Sequence, residues 1–423
     1  MPRRSHRTLL ASLLALAGAL PWPVGAQSPR RAHKPARSTN RQRVGVAASA
    51  QAALRDTLQA ILNRGVADSA FPGAIAVIGT HAGPLVTVTA GHLDWAPSPA
   101  PTVRTLWDIA SLTKVVGMTS AMMQLVESGR VDLDAPVQRY LPEWTGPGKD
   151  RVTVRDLITH RSGLPAFKQY FKLNVSPDST LRLFFTTPLD TTPGARMVYS
   201  DIGAILLGKI VERVSGEPLD AYLARHVFDP LGMRDTRYRP DSSLLARIAP
   251  TEKDPWRGRH VRGEVHDENA AALGGVSAHA GLFSTAHDLE RLARVYLNGG
   301  ALDGGRLAGA ATIKQFTTVQ DSTFSSRALG WDTPGENSSA GHFITRPAFG
   351  HTGFTGTSFW VAPQHDLYVI LLTNRVNPTR EHSRIGPVRV AVADAAMRAL
   401  HPDVVHALEA RATSASPSST PRP

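Results

Sequence analysis

Short apolar runs lie near both ends of the chain, and helical spacing of apolar residues fills its middle. Residues 74–78 and 85–89 surround a glycine-containing turn and predict two strands. Two more runs, Ser358–Ala362 and Leu367–Thr373, flank a four-residue loop that is typical of a hairpin. Residues 367–372 are apolar at every position, so they predict a central strand that is covered on both faces.

Three further stretches predict helices. Residues 48–64 carry apolar side chains at helical spacing, residues 202–214 do the same and stop at Gly216, and residues 388–400 follow the last strand. Strands at both ends with helices between them predict an α+β fold. We expect one antiparallel sheet that is closed by the two ends of the chain, flanked by helices, with a large helical insertion domain at about residues 108–264.

The start of the chain predicts an export signal. Residues 1–26 join three arginines to an apolar stretch and then to small residues, with cleavage expected after Ala26. An uncleaved membrane anchor is the alternative, although the apolar stretch is short for an ordinary spanning helix. The chain contains no cysteine, which excludes lipid attachment through cysteine, disulfides and thiolate metal sites. The expected location is therefore periplasmic or secreted.

The net charge of +12 is concentrated at the amino-terminal end. Residues 1–43 carry nine Lys or Arg and no acid, and removing those nine charges leaves +3 for residues 44–423. This near balance, without a basic helix, argues against a nucleic-acid partner. Residues 27–47 are predicted to be a basic disordered arm that could make weak contact with an anionic envelope. Residues 403–423 are predicted to be a disordered Ser/Pro-rich tail, which leaves residues 48–402 as the folded domain.

A single Ser-x-x-Lys motif occurs in the chain, at Ser111-Leu112-Thr113-Lys114. It stands where an apolar helix should begin, and Gly129 gives that helix a plausible end. Residues three apart on a helix are neighbours, so the lysine ammonium should lie one turn from the serine hydroxyl. Partial desolvation is expected to lower the pKa of Lys114 toward neutrality and to make it a general base for Ser111. Composition alone yields about one such motif by accident, so its weight depends on partners downstream.

The first partner is Tyr199-Ser200-Asp201, in a loop immediately before the helix at 202–214. A loop tyrosine beside a lysine can pass a proton to a leaving group. Asp201 fits both a helix cap and a site residue. The motif has a rival at Tyr296-Leu297-Asn298, but that sequence ends a helical run in which Tyr296 is expected to be a packed side chain.

The second partner is His351-Thr352-Gly353, just before the strand at Ser358–Ala362. A glycine here would let a substrate backbone approach closely. The next amide, on Phe354, could be an oxyanion donor together with the amide of Ser111. An extended segment beside the site would also let a peptide substrate add as a further strand.

The order of the three motifs resembles the serine β-lactamase and penicillin-binding-protein superfamily, in the branch of class C-type β-lactamases, DD-peptidases and related esterases. The resemblance runs from about residue 71 to about residue 400. VTVRDLITHRSGLP at 152–165 and FDPLGM at 228–233 also look like this branch. Three segments look like its penicillin-binding protein 4B-like subgroup: HDENA at 266–270, GG at 274–275 and HAGLFST at 279–285.

The resemblance implies a β-lactamase/transpeptidase-like fold and a serine hydrolase that works through an acyl-enzyme, with no cofactor and no metal. Ser111 corresponds to the nucleophile, Lys114 to its activating lysine and Tyr199 to the tyrosine that relays the proton. Asp201 stands where the family often has Asn. His351 stands where many β-lactamases have Lys, and with Thr352, Gly353 and Phe354 it would bind substrate.

These two departures weaken the case for an efficient β-lactamase. A histidine is mostly uncharged at neutral pH and gains charge below about pH 6.5, and Asp201 adds a negative charge near an anionic ligand. The expected substrate is a D-Ala-D-Ala-type cell-wall peptide. A carboxylesterase on small acyl esters is the runner-up, followed by a weak β-lactamase. A catalytically weak penicillin-binding or wall-sensing module is the alternative from another class, and the oligomeric state is left open.

Two other groups of residues are candidates for the site. The segment HDE at 266–268, with His279, has metal-ligand residue types, but its spacing fits no hydrolase metal signature. A loop that lines the cleft or braces the catalytic strand is the favoured interpretation, and a metal role is the alternative. Arg375 and Arg380 follow the predicted central strand and could either bind a substrate carboxylate or be structural.

Overall fold

The computed structural model describes the backbone of residues 39–323, 325–335 and 338–415, so the predicted signal at 1–26 lies outside the described residues. In chain order, its helices are α1 (Thr39–Ala67), α2 (Thr119–Glu127), α3 (Val154–Ile158), α4 (Pro177–Thr186), α5 (Asp201–Ser215), α6 (Leu219–Leu223), α7 (Glu268–Ala272), α8 (Ala286–Leu297), α9 (Ala310–Thr317), α10 (Ile385–Leu400) and α11 (Pro402–Ala415). Its strands are β1 (Gly73–Thr80), β2 (Gly83–Gly91), β3 (Trp107–Asp108), β4 (Arg237–Tyr238), β5 (Lys253–Asp254), β6 (Arg259–His260), β7 (Leu282–Ser284), β8 (Ala301–Leu302), β9 (Gly305–Arg306), β10 (Phe349–Thr352), β11 (Ser358–Ala362) and β12 (Leu367–Thr373).

Five of these strands form the main sheet, in the order β10-β11-β12-β1-β2. Every neighbouring pair in it is antiparallel. Strand β1 pairs with β12, with Ala74 opposite Thr373, so a strand from each end of the chain meets at the centre of the sheet. The predicted fold, an antiparallel sheet closed by the two ends and flanked by helices, is confirmed, and β11 and β12 have the predicted bounds.

The two faces of β1 pack against different layers. Ala74, Ala76 and Ile78 belong to a cluster that includes apolar residues of α1 and α10. Ile75 and Val77 alternate with them and belong to the larger cluster on the other face, which includes residues of α2, α5 and α8. All five side chains are buried. This two-sided burial removes about 25 cal/mol of unfavourable hydration for each Å² of apolar surface, which is why the central strands contain almost no polar residue.

The chain between β2 and β10 forms the helical layer and supplies most of the candidate site. It contains α2 to α9 and a small sheet of order β3-β7-β4. Helix α5 agrees with its predicted span, and Gly216 ends it in a left-handed conformation with φ 78°. The inserted segment extends beyond the expected boundary near residue 264, because α7, α8 and α9 also precede β10. Sheet and insertion belong to one compact unit.

Both expected disordered ends are partly helical, which corrects the prediction. Helix α1 begins at Thr39, inside the arm expected at 27–47, and α11 covers much of the tail expected at 403–423. Val405 on α11 is 2% exposed and joins the apolar cluster of α1 and α10. The Ser/Pro-rich composition of the last residues led to the prediction of a disordered tail, although this segment contains a buried apolar residue. In the described part of the chain, no helix combines the length and hydropathy that a membrane span needs.

Candidate active site

Ser111 stands at the junction between a tight turn and a buried helix. Strand β3 leads into Ala110, whose φ is 44°, and the side chain of Asp108 accepts a hydrogen bond of 2.8 Å from the amide of that alanine. After Ser111 the chain enters a π-helical turn, Lys114–Met118, that continues into α2. A non-glycine residue in the left-handed region is strained, so the buried carboxylate of Asp108 stabilises the turn that presents Ser111.

The ammonium of Lys114 uses all three of its hydrogens. Nζ donates to Oγ of Ser111 at 3.1 Å, to Oδ1 of Asp201 at 2.7 Å and to the backbone carbonyl of His279 at 3.0 Å. The side chain of Lys114 is 1% exposed and that of Asp201 is 21% exposed. Three residues of the predicted site therefore lie together, since Lys114 forms an ion pair with Asp201 and a hydrogen bond with Ser111.

The expected decrease in the pKa of Lys114 is wrong. Burial alone would lower the pKa of Lys114, but the carboxylate of Asp201 and the nearby Tyr199 outweigh it, and the pKa is raised. The family's usual Asn at this position would not supply that negative charge. In its resting state Lys114 is therefore a cation that donates to Ser111 and cannot accept the serine proton.

Tyr199 lies against the lysine, as predicted. The ammonium of Lys114 is 4.8 Å from the centre of the Tyr199 ring. The ring also packs against His160 at 4.6 Å and His351 at 5.7 Å, measured between ring centroids. The hydroxyl of Tyr199 is buried and has no hydrogen-bond partner among the described residues, which is uncommon for a buried polar group.

The rival tyrosine lies elsewhere. Tyr296 is buried on α8, where its ring makes edge contacts at 5.3 Å with both Trp331 and Phe349. Its hydroxyl lies 3.9 Å from the sulfur of Met123. Burial raises the pKa of Tyr296. These contacts give Tyr296 a packing role in the core, as expected.

His160 is a neighbour of the site that the sequence analysis did not single out. Its Nδ1 accepts a hydrogen bond of 3.1 Å from the amide of Ser200, and its backbone has a φ of 59°. Burial first, and then the positive charges of Arg327 and Lys114, hold the pKa of His160 well below its usual value. The only sequence signal was its place in the segment 152–165. A neutral imidazole here fixes the loop that carries Tyr199.

His351 lies on β10 as a buried, neutral side chain. Its Nδ1 donates to the carbonyl of Thr352 at 2.8 Å, and its Nε2 has no partner among the described residues. Burial, followed by the charges of Arg327 and Lys114, places the pKa of His351 well below its usual value. The expected gain of charge below about pH 6.5 is therefore wrong, because ionisation needs a considerably more acidic solution.

The turn after β10 is tied to the backbone that precedes Ser111. Thr355 Oγ1 donates to the carbonyl of Asp108 at 2.7 Å, and Thr357 Oγ1 donates to the carbonyl of Ile109 at 3.3 Å. A Cβ on Gly353 would lie 2.5 Å from the Ile109 carbonyl oxygen. The glycine is therefore required by this contact within the protein, whereas the sequence analysis assigned it to the approach of a substrate backbone.

These ties bring the two expected oxyanion donors to the same loop cluster. Within the described residues, neither the amide of Ser111 nor that of Phe354 donates a hydrogen bond to another protein group. Arg389 on α10 holds the turn from behind by donating to the carbonyl of Gly353 at 2.7 Å. Free amides beside a serine hydroxyl can stabilise negative charge on an attacked carbonyl oxygen.

His266 of the HDE segment and His279 contact different carboxylates. His266 Nε2 lies 2.8 Å from Glu252, whereas His279 Nε2 lies 2.9 Å from Asp267. No group of three or more possible metal ligands occurs among the described residues. The segment thus forms two acid–histidine pairs, and the backbone carbonyl of the second histidine contacts Lys114.

Both candidate arginines are already engaged by the protein. Arg380 donates to Glu252 at 2.6 Å and to Glu268 at 2.7 Å, and Arg375 donates to the carbonyl of Phe354 at 2.7 Å. The guanidinium carbon of Arg375 lies 4.3 Å from the Phe354 ring centre, and that ring is 48% exposed. Both arginines therefore support Phe354 by packing against its ring.

Comparisons with known proteins show the family to which this chain belongs. The family model described as Beta-lactamase matches residues 58–394. A protein of Salmonella agona (strain SL483), named "Putative D-alanyl-D-alanine carboxypeptidase", is 34% identical over 318 residues, which cover 68% of this chain and 73% of the relative. A penicillin-binding protein homologue from Caulobacter crescentus superposes with a TM-score of 0.68 at 23% identity, covering 83% of this chain and 98% of that one. EstCE1, a hydrolase with promiscuous acyltransferase activity, gives a TM-score of 0.65 at 21% identity, covering 82% and 99%. The chain belongs to the β-lactamase family and is a serine hydrolase of that family.

Proposed function

We propose that this protein is an exported hydrolase that cleaves D-Ala-D-Ala-type cell-wall peptides through an acyl-enzyme on Ser111. The observation that carries the chemistry is the triple hydrogen bonding of Lys114, which ties Ser111 to Asp201 beside two unpaired amides. The substrate class is supported by the relatives at 34% identity, which are named for D-alanyl-D-alanine carboxypeptidase.

The proposed reaction begins when Oγ of Ser111 attacks the carbonyl carbon of the peptide. A C–O bond forms, and the amides of Ser111 and Phe354 hold the negative oxygen. Lys114 accepts the serine proton in its neutral form. Tyr199 then delivers a proton to the departing amine as the C–N bond breaks. Water attacks the resulting ester, its proton returns along the same groups, and the free serine and a carboxylate are restored.

Asp201 makes this chemistry dependent on pH. Its negative charge favours the cationic form of Lys114, so the neutral amine is scarce at neutral pH and becomes more abundant as the pH rises. The rate of acylation should therefore rise through the alkaline range. A low rate near neutral pH would also make acylation by penicillins slow.

Export is part of the proposal and rests on the residues before the described structure. The expected cleavage after Ala26 would give a mature chain that begins at Gln27. Amino-terminal sequencing of protein recovered from the periplasm or the medium tests this step. A chain that keeps residues 1–26 in the membrane fraction would instead support the anchor alternative.

A carboxylesterase is the second candidate function, and His351 is the observation that favours it. The ring is buried and its pKa is held low, so it brings no positive charge to a substrate carboxylate where a lysine would. The partly exposed Phe354 offers an apolar surface at the mouth of the site. Small uncharged acyl esters need no carboxylate recognition and would suit these features.

The test uses wild-type protein and Ser111→Ala with three substrates. These are a peptide ending in D-Ala-D-Ala, a short-chain p-nitrophenyl ester and a fluorescent penicillin. We expect D-Ala release by the wild type only, and intact-mass spectrometry should show a penicillin adduct only when Ser111 is present. Activity that survives in Ser111→Ala refutes the nucleophile. Ester turnover without D-Ala release selects the esterase, and a stable adduct without any turnover selects the wall-sensing module.

A further inference from the structure

A chain of three hydrogen-bonded side chains lies behind Lys114 and has no part in the mechanism above; its serine and histidine are buried, and its aspartate is 23% exposed. His279 is its centre, with Nδ1 at 2.7 Å from Oγ of Ser277 and Nε2 at 2.9 Å from Oδ1 of Asp267. The backbone carbonyl of the same histidine accepts a hydrogen bond of 3.0 Å from Lys114. We propose that Asp267 and His279 are positioning residues that hold this carbonyl, and through it the ammonium of Lys114, in line with Ser111.

The residue types of this chain match those of a hydrolytic triad, but their surroundings do not. Ser277 is 4% exposed and His279 is 1% exposed, so the serine hydroxyl has no access to a substrate. Both ring nitrogens of His279 are occupied within the protein. A buried imidazole with two partners cannot rotate without breaking a hydrogen bond, which makes it a rigid strut for its own backbone.

Asp267 connects this strut to a second element. Its Oδ1 also accepts a hydrogen bond of 2.8 Å from the amide of Ala270, which makes Asp267 the cap of α7. The neighbouring His266 donates its amide to the side chain of Asp108 at 2.6 Å, and Asp108 supports the turn before Ser111. Residues 266 and 267 therefore support both the His279 carbonyl that Lys114 contacts and the turn that carries Ser111.

The charge of Asp267 also reaches the lysine. Burial would raise the pKa of Asp267, but His279, the Ala270 amide and Lys114 together keep it below its usual value. The other titratable groups that face Lys114 are Asp201 and Tyr199, which raise its pKa, and the neutral His160 and His351. The inference rests on the proposed role of Lys114, because it assigns residues that position that lysine.

The test measures kcat and KM of pure full-length variants with a p-nitrophenyl ester across the pH range. Asp267→Asn keeps a side chain of the same shape that can cap α7, but it removes the charge and so weakens the hydrogen bond that holds His279. We expect kcat to fall about 10-fold or more, KM to change less than about 2-fold, and the acid limb of kcat/KM to move down by about half a pH unit or more. Asp394→Asn is the matched control, since Asp394 also accepts a backbone amide and a histidine ring nitrogen, both from His342 on the surface.

A second series tests the ring itself. His279→Ala keeps the carbonyl but removes the strut, so kcat should fall about as far as in Asp267→Asn. His279→Gln should recover part of the loss, because its amide can donate to Asp267. If His279→Ala does not fold, the comparison of His279→Gln with wild type decides.

Three results would overturn the inference. The first is an unchanged kcat in Asp267→Asn and in the His279 variant that folds. The second is a lower kcat in Asp267→Asn without a shift in the acid limb of kcat/KM. The third is a loss of kcat in Asp394→Asn as large as that in Asp267→Asn. The Ser111→Ala control separates this failure from failure of the proposed function. If Ser111→Ala is inactive and the Asp267 variant behaves as wild type, only the positioning role is lost.

Discussion

At the scale of single residues, the pairing of Lys114 with Asp201 determines when the site can act as a base. A lysine that is 1% exposed would ordinarily lose its proton easily, and the sequence predicts that behaviour. Its carboxylate partner, Asp201, lies 87 residues away in the chain. Only the folded structure therefore shows the 2.7 Å contact that reverses the direction of the pKa shift of Lys114. One residue identity, Asp in place of Asn, thus changes the expected pH dependence of the enzyme.

Asp201→Asn should shift the activity toward lower pH. Losing the carboxylate removes the main group that stabilises the Lys114 cation, so the pKa of the lysine falls and the neutral base appears earlier as the pH rises. We expect the acid limb of kcat/KM for an ester to move down by about one pH unit or more. Glu212→Gln is the control, because Glu212 pairs with Lys209 at 2.7 Å on the same helix. A limb that stays in place or moves up contradicts the assigned ion pair.

Tyr199→Phe should separate the two tyrosine motifs. Loss of a group that delivers the proton to the leaving amine should reduce kcat by about 100-fold or more. Tyr296→Phe removes a hydroxyl that lies in the core near the Met123 sulfur, so kcat should stay close to that of the wild type. Steady-state kinetics of both variants on one substrate give the answer, and the opposite ranking would mean that Tyr296 holds the catalytic role.

At the scale of elements, the sequence predicts well what depends on local periodicity and poorly what depends on loops that meet. The strands β11 and β12 and the helix α5 follow directly from apolar spacing and a terminal glycine. The carbonyl of His279 meets Lys114 across 165 residues, and the ring of His160 meets Tyr199 from another loop. No periodicity encodes such meetings, so the contacts that these supporting residues make could be found only in the folded chain.

The last helix offers a prediction about stability. Val405 anchors α11 in the cluster shared with α1 and α10, so Val405→Ala should lower the free energy of unfolding by about 1 to 3 kcal/mol. The next residue, His406, is exposed, and His406→Ala should leave the unfolding midpoint nearly unchanged. Denaturant unfolding of both variants measures the difference. Equal midpoints would show that α11 is not packed on the domain and would restore the sequence expectation of a tail.

At the scale of the whole molecule, the fold brings three distant segments to one site. A sheet closed by the two ends of the chain places β10 beside the helical insertion, and the ties from Thr355 and Thr357 draw the turn after β10 onto the backbone before Ser111. The order of the motifs predicts this assembly, because each motif lies at the edge of a predictable element. Their charges depend on the folded surroundings: burial keeps His351 neutral, whereas Asp201 keeps Lys114 cationic in spite of its burial.

The neutral state of His351 leads to a prediction about substrate recognition. If His351 became charged near pH 6.5, an anionic peptide would bind better in mildly acidic solution. Because the pKa of His351 is held well below its usual value, no such gain is expected, and KM for a D-Ala-D-Ala peptide should change less than about 3-fold between about pH 8 and about pH 6. An uncharged ester provides the control, since its KM should show the same small change. A peptide KM that falls 10-fold or more on acidification, while the ester KM stays constant, would show that His351 ionises and binds the carboxylate directly.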